Sequence, residues 1–223
     1  MTPAHPREFV YLLPSSLETG ADGTAALAWP TGSAPFGGCA DVGENNALQT
    51  IQLRPGALSA DECRQVIAVG ENLPRAAGRV ELGDDAYRVS HIAWIEPAPQ
   101  THWLFHRLGV LFLQAGKHYG FELTGFLDAF QYTVYGAGQH FGWHMDLGPG
   151  ATSARKLSMT LQLSDAGEYS GGMLEFINAP TSEQSRPVGS AIFFPSYLAH
   201  RVAPVESGVR RSLVAWACGP TFR

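Results

Sequence analysis

The sequence places two histidines and an aspartate where they can share one metal ion: His144, Asp146 and His200. His144 and Asp146 are two positions apart, so in an extended segment their side chains point to the same side, with Cα atoms about 6.5–7 Å apart. His200 begins a later predicted strand and supplies a third ligand. Two histidines and one carboxylate leave three metal positions open, as in non-haem Fe(II) enzymes that activate dioxygen with a chelating cosubstrate. The spacing therefore predicts an iron site with room for substrates.

Arg210 and Tyr135 can bind the far carboxylate of such a cosubstrate, and Ser212 is predicted to face the same side as Arg210. Arg210 heads the predicted final strand and Ser212 follows two positions later, so both side chains face the same side. A guanidinium binds a carboxylate in a bidentate manner and keeps its charge. Tyr135 lies nine residues before the first histidine of the metal site, and its hydroxyl can donate to the same carboxylate. Arg211 is predicted to point outward.

These candidates lie in a part of the sequence that consists of short strand-like runs separated by turn residues. The spacing of the runs favours a mainly β protein with a double-stranded β-helix, or jelly-roll, core made of two facing sheets. The predicted strands cover residues 126–135, 139–144, 156–163, 172–177, 190–194, 200–204 and 210–217.

Two helices are predicted in the first half of the chain, packed on the outside of the β core. A serine N-cap followed by acidic residues predicts a helix from Leu58 to about Leu73. Apolar spacing predicts a second helix from Pro97 to about Tyr119. Shorter strands are expected at residues 9–13, 49–53, 79–81 and 88–95. We expect residues 1–48 to form an irregular N-terminal arm and 49–223 a single dioxygenase domain, with the jelly-roll core at about 126–223.

Composition limits the expected partners. The chain has 223 residues, of which 45% are hydrophobic, enough for one large domain with a sizeable core. Its net charge of −5 disfavours nucleic acid and anionic membrane surfaces as partners. No apolar run approaches the about 20 residues of a membrane span, and no secretory signal is recognisable. The three cysteines lack a paired spacing. We therefore expect a cytoplasmic protein without a nucleic-acid or membrane partner.

Several motifs occur in the order and at the spacing found in a known enzyme family. In chain order they are Tyr135-Gly-Ala-Gly, His144-Met-Asp, Leu157-Ser, Tyr169-Ser-Gly-Gly, Phe194-Pro-Ser and the segment from His200 to Arg210. The sequence resembles the Fe(II)/2-oxoglutarate dioxygenases of the prolyl 4-hydroxylase type. Within these it is most similar to bacterial members with a procollagen-lysyl-hydroxylase-like (PKHD-type) domain. The resemblance covers about residues 88–216.

The resemblance implies a role for each candidate residue. The implied roles are His144, Asp146 and His200 as catalytic iron ligands, Arg210 as the 2-oxoglutarate anchor, and Tyr135 and Ser212 as further cosubstrate contacts. Many prolyl hydroxylases have a lysine where this chain has Arg210, and either cation serves. The implied cofactors are Fe(II), 2-oxoglutarate and O2, with ascorbate as a reductant. The implied reaction hydroxylates an unactivated C–H bond of an amino acid, a peptidyl residue or a related small polar metabolite, and yields succinate and CO2.

Other functions stay open. A non-catalytic jelly-roll module would keep the metal for stability or ligand binding, and a cupin-type dioxygenase would leave Arg210 without a role. A nucleic-acid dealkylating oxygenase shares the core, but its family typically carries a second arginine six residues after the anchor, where this chain has Trp216. Arg88 and Arg155 are either surface charges or receptors for a substrate carboxylate.

Overall fold

The computed structural model describes residues 45–78, 87–180 and 183–220, and four short strands within the first 44 residues. The chain divides into two compact units, Met1–Asn45 and Asn46–Arg223. The strands predicted at residues 9–13 and 79–81 lie outside the described residues. The predicted boundary between an arm and a domain at residue 48 stays a prediction.

The first unit contains two antiparallel strand pairs. Its strands are β1 (Pro6–Glu8), β2 (Ser16–Thr19), β3 (Ala25–Ala28) and β4 (Cys39–Asp41). β1 pairs with β4, and β2 pairs with β3. The second pair is therefore enclosed within the first along the chain.

The second unit contains the remaining strands and both helices. The strands are β5 (Gln52–Arg54), β6 (Ala76–Ala77), β7 (Arg88–Val89), β8 (His91–Ile95), β9 (Phe130–Tyr135), β10 (His140–His144), β11 (Arg155–Gln162), β12 (Tyr169–Gly171), β13 (Leu174–Phe176), β14 (Ala191–Pro195), β15 (His200–Val202), β16 (Val205–Gly208) and β17 (Arg210–Cys218). The helices are α1 (Ala60–Glu71) and α2 (His102–Tyr119). Short 3-10 helices cover Asn46–Gln49, Gly150–Ala154 and Glu183–Ser185.

Two antiparallel sheets form the core of this unit. The larger has the order β5-β14-β11-β17-β9-β8-β6 and the smaller the order β13-β15-β10-β7. Side chains from both sheets line one cavity, so the sheets face each other. The prediction of a mainly β, jelly-roll fold with two helices is confirmed. The pair β12 and β16 was not predicted, because these strands are short, rich in serine and glycine, and paired with each other alone.

Hydrophobic side chains fill two layers. One layer, which includes Leu108, Phe112 and Phe193, lies between the helices and the larger sheet. The other layer lies between the two sheets and includes Ile192 and Phe194. These neighbours on β14 fall in different layers because successive side chains of a strand point to opposite faces. Helix α1 packs against β8 and α2 against β14, which places both helices on the outer face of the larger sheet.

Local signals set the helix ends. The Ser59 hydroxyl accepts from the amide of Glu62 at 3.2 Å and the Glu62 carboxylate accepts from the amide of Ser59 at 2.7 Å, a capping box that starts α1. Gly120, at a φ of 69°, ends α2 in the left-handed region. Within the described part of the chain, neither helix is long and apolar enough to cross a bilayer.

The segment predicted as one strand over residues 88–95 forms two strands in different sheets. β7 pairs with β10 in the smaller sheet, whereas β8 pairs with β9 in the larger sheet. The chain crosses between the sheets at Ser90, which is buried. This crossing brings the Arg88 side chain to the wall of the central cavity.

Candidate metal and cosubstrate site

The two histidines of the predicted metal site face each other across an antiparallel strand pair. His144 is the last residue of β10 and lies opposite His200, the first residue of β15. Opposed residues in such a pair project from the same face of the sheet, and the two ring centroids are 4.2 Å apart. The register shifts between Phe141 and His144, a bulge of the kind that re-aims a side chain.

Asp146 lies in the loop after β10 and therefore outside the extended segment that the spacing of His144 and Asp146 presumed. The amides of Asp146 and Leu147 both donate to the Ser196 carbonyl, at 2.9 Å each. The Ser196 amide in turn donates to the Lys156 carbonyl at 3.0 Å. These long-range main-chain bonds turn the Asp146 carboxylate toward the histidines. Strand alternation therefore does not explain why the three side chains converge.

The three side chains fit a metal ion. In Asp146, Oδ1 lies 3.7 Å from Nε2 of His144 and Oδ2 lies 3.6 Å from Nε2 of His200. The ligand atoms all lie within 4.8 Å of one another. These separations are too long for hydrogen bonds and suit atoms that each bind a central ion at about 2.1 Å. Among the described residues, the buried Oδ2 of Asp146 has no hydrogen-bond partner, so a cation would satisfy it.

Backbone carbonyls orient both imidazole rings. Nδ1 of His144 lies 2.8 Å from the Gly142 carbonyl, and Nδ1 of His200 lies 2.9 Å from the Leu198 carbonyl. Because a carbonyl only accepts, each Nδ1 carries the hydrogen in these bonds. Each Nε2 then presents its lone pair to the metal position, and the ring orientation is fixed before any metal binds.

The protonation states also suit a metal site. Burial lowers the pKa of His144 to about 4, with a further contribution from His200, so the ring is neutral at pH 7. Burial opposes ionisation of Asp146, but the two histidines and the Ser158 hydroxyl outweigh it and hold the carboxyl pKa below its usual value. A neutral imidazole and an ionised carboxylate are the forms that bind a divalent metal.

The residues predicted to hold the cosubstrate line the same cavity, of about 480 Å³. Arg210 is 2% exposed, and its Nη1 donates to Oγ of Ser212 at 3.3 Å. Tyr135 lies opposite Arg210 in the β9–β17 pair. Burial raises the pKa of the Tyr135 phenol, and the guanidinium groups of Arg88 and Arg210 oppose only part of that shift, so the phenol stays a neutral donor. Arg211 points to the other face of the sheet, toward α1, as predicted.

Strand alternation identifies lining residues that the sequence reasoning missed. On β17, Arg210, Ser212, Val214 and Trp216 line the cavity at every second position. Continuing the alternation beyond Ser212 would have found Trp216. Thr160 on β11 also lines the cavity, and it belongs to the polar half of a strict alternation from Leu157 to Gln162 that could have indicated it.

An aromatic wall with one ion pair borders the cavity next to the metal position. Nη2 and Nε of Arg155 lie 2.8 and 3.1 Å from Oδ2 of Asp128. The same guanidinium covers the ring of Trp216 at 3.9 Å, and the Trp94 ring lies 6.3 Å from that of Trp216. The buried Nε1 of Trp216 has no partner among the described residues. This wall therefore offers apolar contact and one indole donor to a molecule in the cavity.

Comparison with known proteins decides the family. The model of the 2OG-Fe(II) oxygenase superfamily matches residues 130–218, from β9 to the end of β17. A PKHD-type hydroxylase from Synechococcus sp. strain CC9605 is 30% identical over 148 residues, which are 65% of this chain and 67% of that protein. The chain belongs to the PKHD-type hydroxylases of this superfamily. Against a second one, from Synechococcus sp. strain CC9902, it is 31% identical over 141 residues, 62% of this chain, and spans 64% of that relative's length.

Solved structures share the fold of this chain. A prolyl-4-hydroxylase from Pseudomonas putida matches with a TM-score of 0.58 at 22% identity, over 76% of this chain and 92% of that one. A Trichoplax adhaerens prolyl hydroxylase, solved with a peptide fragment of hypoxia inducible factor, matches with a TM-score of 0.63 at 16% identity, over 78% and 84%. The jelly-roll prediction and the resemblance to the prolyl 4-hydroxylase type are both confirmed.

Proposed function

We propose that the protein hydroxylates an unactivated C–H bond of an amino acid, a peptidyl residue or a related small polar metabolite, with Fe(II), 2-oxoglutarate and dioxygen. The observation that carries this proposal is the buried Oδ2 of Asp146, which lies beside the imidazoles of His144 and His200 and has no hydrogen-bond partner among the described residues. When bound, iron and cosubstrate supply the oxidising chemistry, and succinate and CO2 are the coproducts.

Each site residue has a role in this proposal. The two histidines and the aspartate hold the metal in an orientation fixed by their backbone contacts. Arg210 binds the far carboxylate of 2-oxoglutarate, and Ser212 keeps the guanidinium in place. Tyr135 donates its phenol hydrogen toward the same carboxylate. Burial of these groups strengthens their attraction for a carboxylate, because less water screens it.

The cavity and the relatives of this chain support the proposed substrate class. The two solved neighbours described above are prolyl hydroxylases, and one of them was solved with a peptide fragment. The cavity of about 480 Å³ suits one amino-acid side chain or a small metabolite. The net charge of −5 argues against a nucleic-acid substrate. Cys63 and Cys218 are buried free thiols, which accords with the reducing cytoplasm.

The proposal is tested by anaerobic reconstitution with Fe(II) and titration with 2-oxoglutarate. Chelation of the iron by the cosubstrate should give a weak visible charge-transfer band. We expect His144→Ala to lose the band, and Arg210→Ala to need a higher 2-oxoglutarate concentration, with partial rescue by Arg210→Lys. Arg201→Ala is the control, because this arginine pairs with Glu175 away from the cavity lining. Bound iron without a band in the wild type would refute the oxygenase and leave a metal-binding module.

A further inference from the structure

Arg88 is a partly buried cation of the cavity to which the proposed reaction assigns no role. Its Nε donates to Oγ of Ser90 at 3.1 Å, which fixes the guanidinium where the chain crosses between the sheets. Its Nη2 is shielded from solvent and has no hydrogen-bond partner among the described residues. A buried donor of a charged group is costly to leave unpaired, so the position of Nη2 indicates a ligand oxygen.

Two stacked rings separate Arg88 from the metal position. Its Cζ lies 4.5 Å from the centroid of the Phe141 ring. Phe141 in turn stacks on His144, with ring centroids 3.6 Å apart and an angle of 17° between the rings. The order guanidinium, phenyl ring, metal-binding imidazole places any oxygen held by Arg88 on the His144 side of the reacting centre. A prime substrate must lie in that neighbourhood.

The charges of the described cavity wall leave one positive charge uncompensated. Three arginines, Arg88, Arg155 and Arg210, face two aspartates, Asp128 and Asp146. Fe(II) and 2-oxoglutarate carry opposite charges of equal size, so their binding leaves this balance unchanged. Asp128 pairs with Arg155, Asp146 belongs to the metal, and Arg210 is assigned to the cosubstrate. Among the described lining residues, Arg88 therefore remains as the cation without an anion.

We propose that Arg88 binds a carboxylate of the prime substrate, so that this protein hydroxylates a small acid or a residue with a free carboxylate rather than an internal residue of a peptide. This inference rests on the proposed function and narrows its substrate class. Two sources share the chemistry, a free amino acid or similar acid and the C-terminal residue of a peptide. A neutral peptide carbonyl would leave the guanidinium charge without compensation.

The test uses trifluoroacetate as a carboxylate probe and trifluoroacetamide as its neutral counterpart, followed by 19F NMR. The full chain is loaded with Mn(II) and saturating 2-oxoglutarate, so Arg210 is occupied and the paramagnetic ion broadens the signal of a probe bound near the metal. We expect saturable broadening of the 19F signal for trifluoroacetate but not for trifluoroacetamide. Arg88→Gln should weaken its binding about 10- to 100-fold, as for the loss of a charge-assisted hydrogen bond, and Arg88→Lys should restore part of it.

Arg201→Gln is the matched control, because this guanidinium also covers an aromatic ring, that of Trp143, but is paired with Glu175. It should bind the probe like the wild type. Equal binding of trifluoroacetate to Arg88→Gln, no binding to the wild type, or equal binding of trifluoroacetamide would overturn the inference. Weaker binding of 2-oxoglutarate itself in Arg88→Gln would also overturn it, because Arg88 would then belong to the cosubstrate.

Competition identifies the source of the carboxylate. Free amino acids and short peptides with a free C-terminus are added against the bound probe, with their amides as controls. Displacement by one class names it, and displacement by neither assigns the pocket to a smaller carboxylic acid, whereas displacement by the amides contradicts the inference. Failure of the proposed function itself would be seen separately, as no charge-transfer band with Fe(II) and 2-oxoglutarate.

Discussion

Gly172 packs directly against the side chain of Arg210. The variant Gly172→Ala tests whether this close contact keeps the guanidinium in position. Gly172 has a φ of 62°, in the left-handed region that costs an alanine about 1–2 kcal/mol. A Cβ at this position would lie 3.0 Å from Cδ of Arg210 and 2.9 Å from Cγ2 of Val205. Both neighbours are buried, so neither can move without disturbing its own packing.

Gly172→Ala should therefore lower both stability and cosubstrate affinity. Backbone strain and about 1 kcal/mol of overpacking predict a loss of roughly 2–3 kcal/mol in the free energy of unfolding. At about 2–4 °C per kcal/mol for a chain of this size, Tm falls by roughly 4–12 °C. A displaced guanidinium should bind 2-oxoglutarate about tenfold more weakly, which corresponds to ~1.4 kcal/mol. Thermal unfolding and titration of the charge-transfer band measure the two effects.

Gly56→Ala separates the backbone cost from the contact. Gly56 has a φ of 64°, and nothing lies within 4 Å of a Cβ built there. This variant should lose only the strain, about 1–2 kcal/mol, and keep the wild-type affinity for 2-oxoglutarate. If Gly172→Ala loses no more stability than Gly56→Ala and binds 2-oxoglutarate like the wild type, the contact with Arg210 is not the reason for a glycine at position 172.

Two substitutions and the buried thiol of Cys63 test other parts of the structure. Tyr135→Phe removes the hydroxyl near Arg210 and keeps the ring, so 2-oxoglutarate should bind about three- to tenfold more weakly in the same titration; unchanged affinity would remove Tyr135 from the cosubstrate site. Burial raises the pKa of the Cys63 thiol to about 11, so mass spectrometry should find it unmodified after iodoacetamide treatment at pH 8, and rapid labelling would contradict its burial. Because this pKa is raised on folding, the thiol's contribution to stability is complete below about pH 8.5 and decreases as the pH rises toward about 11. Glu71→Gln weakens the ion pair with Arg211 on the outer face of the sheet and should cost about 1 kcal/mol in urea unfolding without changing 2-oxoglutarate affinity; an altered affinity would contradict the separation of the two faces.

Strand periodicity was sufficient to predict much of the candidate site. Arg210 and Ser212 face the cavity and Arg211 faces α1, as an alternation of two requires. The two histidines converge because they are opposed across β10 and β15. Local spacing does not predict that two distant segments will pair as neighbouring strands. The sequence indicated this pairing only through the resemblance of its motifs to a known family.

Long-range contacts explain what the sequence did not show. The carboxylate of Asp146 is aimed by two main-chain bonds to Ser196, fifty positions later in the chain. Arg88 enters the cavity because the chain changes sheets at Ser90, inside a run that was predicted to be one continuous strand. In both cases the deciding partner lies in a distant segment of the chain, so neither propensity nor periodicity within the segment itself could identify it.

Net charge and local charge lead to different conclusions about ligands. The chain carries a net charge of −5, which argues against long polyanions that contact much of the surface. The described wall of the cavity has the opposite balance, with arginines in excess of aspartates. Burial reduces screening by water, so this local excess acts strongly on a small ion inside the cavity and weakly on a polymer outside it. An acidic protein can therefore select small carboxylic acids, and the sign of its total charge does not reveal this preference.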